Sequence, residues 1–183
     1  MSKRIVTRAR IGAVIAALFA VASTGGSQEL TGGFTPEIRP FVGVYVPTGA
    51  MQDQFESASM AGLQIAVELN RNFHVLGSVG WTHGHTKLSM ARDRTDIWQY
   101  DIGVEGNLIH PLNDLWLLRP FAGIAGFSNG SSDTNGLLGF GVGFKHPIVS
   151  RLSSRFEANL AHQFGDNDYT ELGLLAGLSF FTR

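Results

Sequence analysis

From Arg39 onward, hydrophobic and polar residues alternate with a period of two, and no stretch there keeps a helical period for three turns. Turn-forming residues divide this alternation into eight segments, near 38–46, 61–69, 73–83, 96–108, 115–127, 136–145, 152–164 and 170–181. Each approaches the roughly 9–11 residues with which a tilted strand crosses a bilayer. In the third, Phe73, Val75, Val79 and Trp81 share one face, and His74, Ser78, Gly80 and Thr82 share the other. In the fourth, Trp98, Tyr100, Ile102, Val104 and Leu108 oppose Gln99, Asp101, Gly103, Glu105 and Asn107. Short connections at 70–72, 110–114 and 146–151 intersperse with longer polar ones at 47–60, 84–95, 128–135 and 165–169. Short turns at one rim and long loops at the other are the plan of a transmembrane barrel.

Alternation fits a soluble lipocalin-like barrel as well, with the apolar face turned inward. The polar face separates the two. It carries Gly43, Gly62, Gly80, Gly103, Gly123, Gly139, Gly141, Gly143, Gly173 and Gly177, which suit a narrow interior better than a solvated exterior. Three lysines in the whole chain are few for a soluble surface. On the apolar face, Phe73, Trp81, Trp98, Phe156, Phe164 and Phe180 stand near strand ends, as aromatic girdles do at membrane interfaces. The expected fold is therefore all-β, an eight-stranded antiparallel up-and-down transmembrane barrel.

The N-terminus differs from the rest. Lys3, Arg4, Arg8 and Arg10 precede an apolar run from Ile11 to Ala22 that ends in an A-x-A pattern. Twelve helical residues reach only about 18 Å against a hydrocarbon core of about 30 Å, so residues 1–22 are expected to be a cleaved export signal. Residues 23–36 read as a flexible lead-in and 37–183 as the barrel. Cleavage leaves ten basic residues against fifteen acidic ones, a net charge of −5. That balance gives no basic field for nucleic acid. The absence of cysteine removes disulfides, thiolate metal sites and cysteine nucleophiles.

The export signal, the eight segments and the ending Leu172-x-Leu174-x-Ala176-x-Leu178-x-Phe180 resemble the small outer-membrane barrels of Gram-negative bacteria, the OmpA/OmpX type. The resemblance covers about 39–181. It implies outer-membrane lipid and lipopolysaccharide as surroundings. It also implies recognition of the last strand by the barrel-assembly machinery, although Phe181, Thr182 and Arg183 follow Phe180 here. A short repeat, Arg39-Pro40-Phe41-Val42-Gly43 and Arg119-Pro120-Phe121-Ala122-Gly123, would lie on opposite walls.

On the polar faces, Arg39, Arg119, Lys145 and Arg155 stand against Glu68, Asp101, Glu105, Glu157 and Glu171. Inside a narrow barrel these charges must pair, and the pairs form a polar core that plugs the lumen. A narrow ion path is the alternative. His74, Ser78 and Asp101 suggest a triad, but four residues of strand hold His74 and Ser78 about 13 Å apart. His83, His85 and His162 do not converge on one ion, since His83 and His162 fall on opposite walls. Gly126-Phe127-Ser128-Asn129 resembles the H-x-S-N region of outer-membrane lipid A deacylases, with glycine where that motif has its histidine. No catalytic, cofactor or metal residues are therefore expected, with an acyl hydrolase as the alternative. The loops at 47–60 and 84–95 are the candidate readers of an extracellular ligand. The second carries Lys87, Arg92 and Arg94 against Asp93.

Overall fold

The computed structural model describes residues 36–49, 52–53, 55–70, 72–85, 87, 94–109, 115–128, 132–165 and 168–181. The expected signal and lead-in up to residue 35 lie outside them. The eight strands are β1 (Pro36–Thr48), β2 (Ala58–Asn70), β3 (Phe73–His85), β4 (Arg94–Ile109), β5 (Leu115–Ser128), β6 (Ser132–Val149), β7 (Leu152–Phe164) and β8 (Tyr169–Phe181). Each pairs antiparallel with its neighbours in sequence, and β1 pairs with β8, so the sheet closes in the order β1 to β8. Closure leaves no strand edge to satisfy, which a lipid environment requires.

The strands run further than the alternation suggested. Pro36 opens β1 rather than ending a lead-in, and β2 begins at Ala58. The largest correction is at 128–135, expected as a long loop. Ser132 begins β6 and pairs with Ser128, so three residues join β5 to β6. Ser132, Asp133, Thr134 and Asn135 are polar and read as loop, but their backbone groups complete the ladder with β5.

Outward positions carry Val42, Ile65, Tyr100, Ile102, Ile124, Phe140, Leu160 and Leu174, all exposed. Inward positions carry the buried polar residues, among them Arg39, Gln64, Gln99, Glu105, Arg119, Glu157 and Gln163. This inversion of the soluble pattern identifies the outer wall as lipid-facing. The inner face is not uniformly polar, however. Leu76 and Leu117 are buried, and toward the long-loop rim Tyr45, Phe55, Met60, Ile97, Ala125, Phe127 and Leu175 form an inward-facing apolar cluster. A lumen too narrow for bulk water accommodates apolar side chains as well as paired polar ones.

The Arg-Pro-Phe repeat does the same work on two walls. In both copies arginine and phenylalanine point inward and are buried, whereas the intervening proline points outward. The Phe41 ring fills the space a Cβ would take at its register partner Gly62, and the Phe121 ring does so at Gly139. Glycine is needed opposite each ring because of that close approach, not for its backbone freedom.

Candidate functional site: the lumen and the outer rim

The lower half of the lumen, on the side of the short turns, holds eight charged side chains in one unbranched chain of alternating sign. Lys145 Nζ lies 2.5 Å from Glu37, and Glu37 lies 2.6 Å from Arg39. Arg39 grips Glu105 with two donors, at 2.9 and 3.1 Å. Glu105 also accepts from Arg155, whose guanidinium reaches Glu157 at 2.8 Å. Arg119 closes the sequence, 2.8 Å from Glu157 and 3.3 Å from Asp101. Glu37 additionally accepts from Ser179. Every member is at least nine-tenths buried at its side chain. Four cations meet four carboxylates, the condition under which buried ions persist without an uncompensated charge.

Two of the expected network residues stand apart. Glu171 lies deeper toward the long-loop rim and accepts from Gln99 and Gln163 rather than from a cation. Glu68 has the inward parity, but it sits exposed near the end of β2 and takes no part in the chain. Its place is taken by Glu37, which sequence reasoning missed because Pro36 reads as a segment boundary. Arg119 reaches Asp101 and also bridges to Glu157, two strands away. His74 sits opposite Glu105, and Ser78 opposite Asp101. The His74 ring lies 3.3 Å from the Asn107 side chain and not at Ser78.

Large aromatics concentrate at two heights on the outer wall. Phe73, Trp116, Phe156 and Phe180 are exposed toward the short-turn rim, and Trp81, Trp98 and Tyr100 toward the other. Phe164 is half-buried and meets the His162 ring at 4.6 Å. Trp116 was not anticipated. It joins Phe144 and Phe156 in a cross-strand stack with centroids 6.2 and 5.1 Å apart. At the chain end, Phe180 turns outward while Phe181 lies beneath Lys145 Nζ, 4.2 Å from the ring centroid.

One polar group breaks the outer wall above the Trp81–Trp98 pair. His83 Nδ1 lies 2.6 Å from Asp96 Oδ1, and Trp81 Nε1 donates to the same oxygen at 3.2 Å. A carboxylate only accepts, so Nδ1 carries a ring proton, and in the neutral imidazole Nε2 is then the acceptor. Ser128, the last residue of β5, sits opposite Asp96 on the far side of that carboxylate from the imidazole. His162 is on β7, four strands from His83, and lies 3.1 Å from the Thr170 hydroxyl.

A closed antiparallel barrel with lipid-facing apolar walls, two aromatic belts and an ion-paired interior is a bacterial outer-membrane barrel. The chain belongs to the outer membrane protein beta-barrel domain family, whose pattern matches residues 13–180. Among solved structures it is similar to Neisserial surface protein A, with 9% identity, 79% of this chain and 96% of that one covered, and a TM-score of 0.60. It is also similar to Ail, the attachment invasion locus protein of Yersinia pestis, with 15% identity, 81% and 98% covered, and a TM-score of 0.50. At those identities the likeness is one of fold. No curated protein matches the chain in sequence.

Proposed function

We propose that the protein is a closed outer-membrane barrel whose role lies at the cell surface and in the envelope, not in solute passage. The observation that carries this reading is the eight-membered chain of alternating charges across the lower lumen. Its members come from β1, β4, β5, β6 and β7, so the side chains tie the walls together where a channel would need open space. The apolar cluster around Phe55 and Phe127, whose rings lie 6.2 Å apart, supports closure at the other mouth. Planar-bilayer recording tests it. The purified protein should show no stable single-channel steps, and large reproducible steps would overturn the reading.

The specific contacts are assigned to the long-loop rim. Lys87 donates to the Gln52 carbonyl at 2.8 Å, tying the 84–95 loop to the 47–60 loop. Arg94 stands exposed at the start of β4. The cations of the 84–95 loop suit lipopolysaccharide phosphates or an acidic surface. Exchanging both loops for Gly/Ser turns should leave heat-modifiable migration intact and reduce adhesion or phage sensitivity. An unchanged phenotype would leave only an envelope role. The last strand, with Phe180 outward, is the segment proposed to engage the assembly machinery. Replacing Phe180 with Ser should slow insertion.

A further inference from the structure

His83 has a second neighbour in its register row. Met60 pairs with Thr82, and Ala58 packs against Gly84, 3.5 Å from where a Cβ would stand. Continuing that register by one residue sets Ser59 opposite His83. Opposed residues of an antiparallel pair have Cβ atoms about 4.5–5.5 Å apart, a gap that a serine hydroxyl and an imidazole together can close. Ser59 is exposed and outward, like its partner Val44 on β1. Ser59, His83 and Asp96 thus follow one another on β2, β3 and β4. The carboxylate holds Nδ1, and Nε2 is left as an acceptor for a hydroxyl proton.

Their surroundings point to a substrate. The row lies immediately above Trp81 and Trp98, the level at which aromatic belts mark the boundary between headgroups and chains. Ser59 also lines an apolar groove of about 750 Å³ that runs from Trp81 on β3 across β2, β1, β8, β7 and β6 to Trp116 on β5. Six inter-strand steps give this path a length of about 29 Å. A second copy of the chain is a poor occupant, because a two-fold contact would bring groove against groove and leave both empty. One row further out, Arg94 faces His85 and places a cation where a lipid headgroup lies.

We propose that Ser59, His83 and Asp96 form the nucleophile, general base and orienting acid of an acyl-ester hydrolase acting on lipids of the outer leaflet, with the acyl chain lying in the groove. Ser59 Oγ attacks the ester carbonyl carbon while His83 Nε2 takes the hydroxyl proton. The bond to the alcohol oxygen breaks, and His83 returns that proton to the departing alcohol. Water, deprotonated in turn by His83, attacks the Ser59 ester and releases the fatty acid. The sum is one ester and one water giving one acid and one alcohol. This departs from the expectation of no catalytic residues, and it stands independently of whether the lumen conducts.

The test uses the full chain folded in detergent, with dimyristoylphosphatidylcholine in mixed micelles and water enriched in oxygen-18. Myristic acid carrying the label should be released. Release should fall by about 10²–10⁴-fold in Ser59→Ala and in His83→Ala, while Ser128→Ala keeps it. A long-chain alkyl fluorophosphonate should add once to the wild type at Ser59 and not to Ser59→Ala. Heat-modifiable migration verifies that each variant is folded. No labelled acid above the detergent blank together with no adduct at Ser59 would overturn the proposal, as would release that survives Ser59→Ala.

Discussion

The same strands carry two polar assemblies, one facing the lumen and one facing lipid, and they differ in how their charges are matched. In the lumen, Glu105 is held by Arg39 and Arg155, and Glu157 by Arg155 and Arg119, so each buried carboxylate is spent on fixed partners. At the rim, the His83 and Asp96 side chains are about two-fifths exposed, and among the described residues the imidazole hydrogen-bonds through Nδ1. Burial favours close pairing, because an unmatched ion in a dry interior costs several kcal/mol. Exposure does not. The interior assembly therefore reads as structure, and the rim assembly as chemistry that can still accept a partner.

Disrupting the lumen at Glu105, which two guanidinium groups share, should give the largest effect. Glu105→Gln leaves Arg39 and Arg155 facing each other with one charge too many, and should cost about 3–5 kcal/mol. The midpoint of urea unfolding in detergent, followed by tryptophan fluorescence, measures it. A cost below about 1 kcal/mol would show that water reaches these groups.

Steric disruption of the same interior ranks next. Gly139→Leu places a side chain where the Phe121 ring lies, and overpacking of this kind costs about 1–3 kcal/mol. Adding Phe121→Ala should restore only the part due to the ring, because the Leu160 carbonyl oxygen also stands 2.8 Å from a Cβ at Gly139.

A pair of double-mutant cycles compares the two assemblies directly. Arg119 with Glu157 should couple well above the roughly 0.2–1 kcal/mol of exposed pairs, and His83 with Asp96 should fall within that range. Equal coupling energies would erase the distinction drawn here. The smallest effect is expected from Asp96→Asn alone, whose stability change should stay within about 0.5 kcal/mol.

Much of this architecture was legible in the chain, for physical reasons. Side chains alternate strictly across a sheet, so Phe73, Trp81 and Trp98 on one face and Asp101, Glu105 and Arg119 on the other follow from parity alone. Parity does not encode height. Glu68 has the right face but lies at the strand end, whereas Glu37, two residues before Arg39, joins the charge chain between Lys145 and Arg39. Nor does parity encode contacts across the lumen, which depend on closure and strand stagger. The link from Arg39 to Glu105 joins opposite parts of the ring, and Glu157 was not visible as a partner of Arg119. The serine facing His83 escaped notice because residues 47–60 read as a loop, whereas Ala58 and Ser59 extend β2 and bring Ser59 into register. In the 128–135 stretch, hydrophilic residues concealed strand for the same reason. Backbone pairing there is imposed by the neighbouring strand and not by local apolar alternation.

The central claim is that alternating buried ion pairs close this barrel, and conductance tests it most directly. Single-channel recording of the folded wild type alongside Arg119→Ala/Arg155→Ala should give a silent wild type. The double variant, which removes both guanidinium groups that flank Glu157, should show openings or a leak. Stable, large steps from the wild type, unchanged in the double variant, would contradict the account.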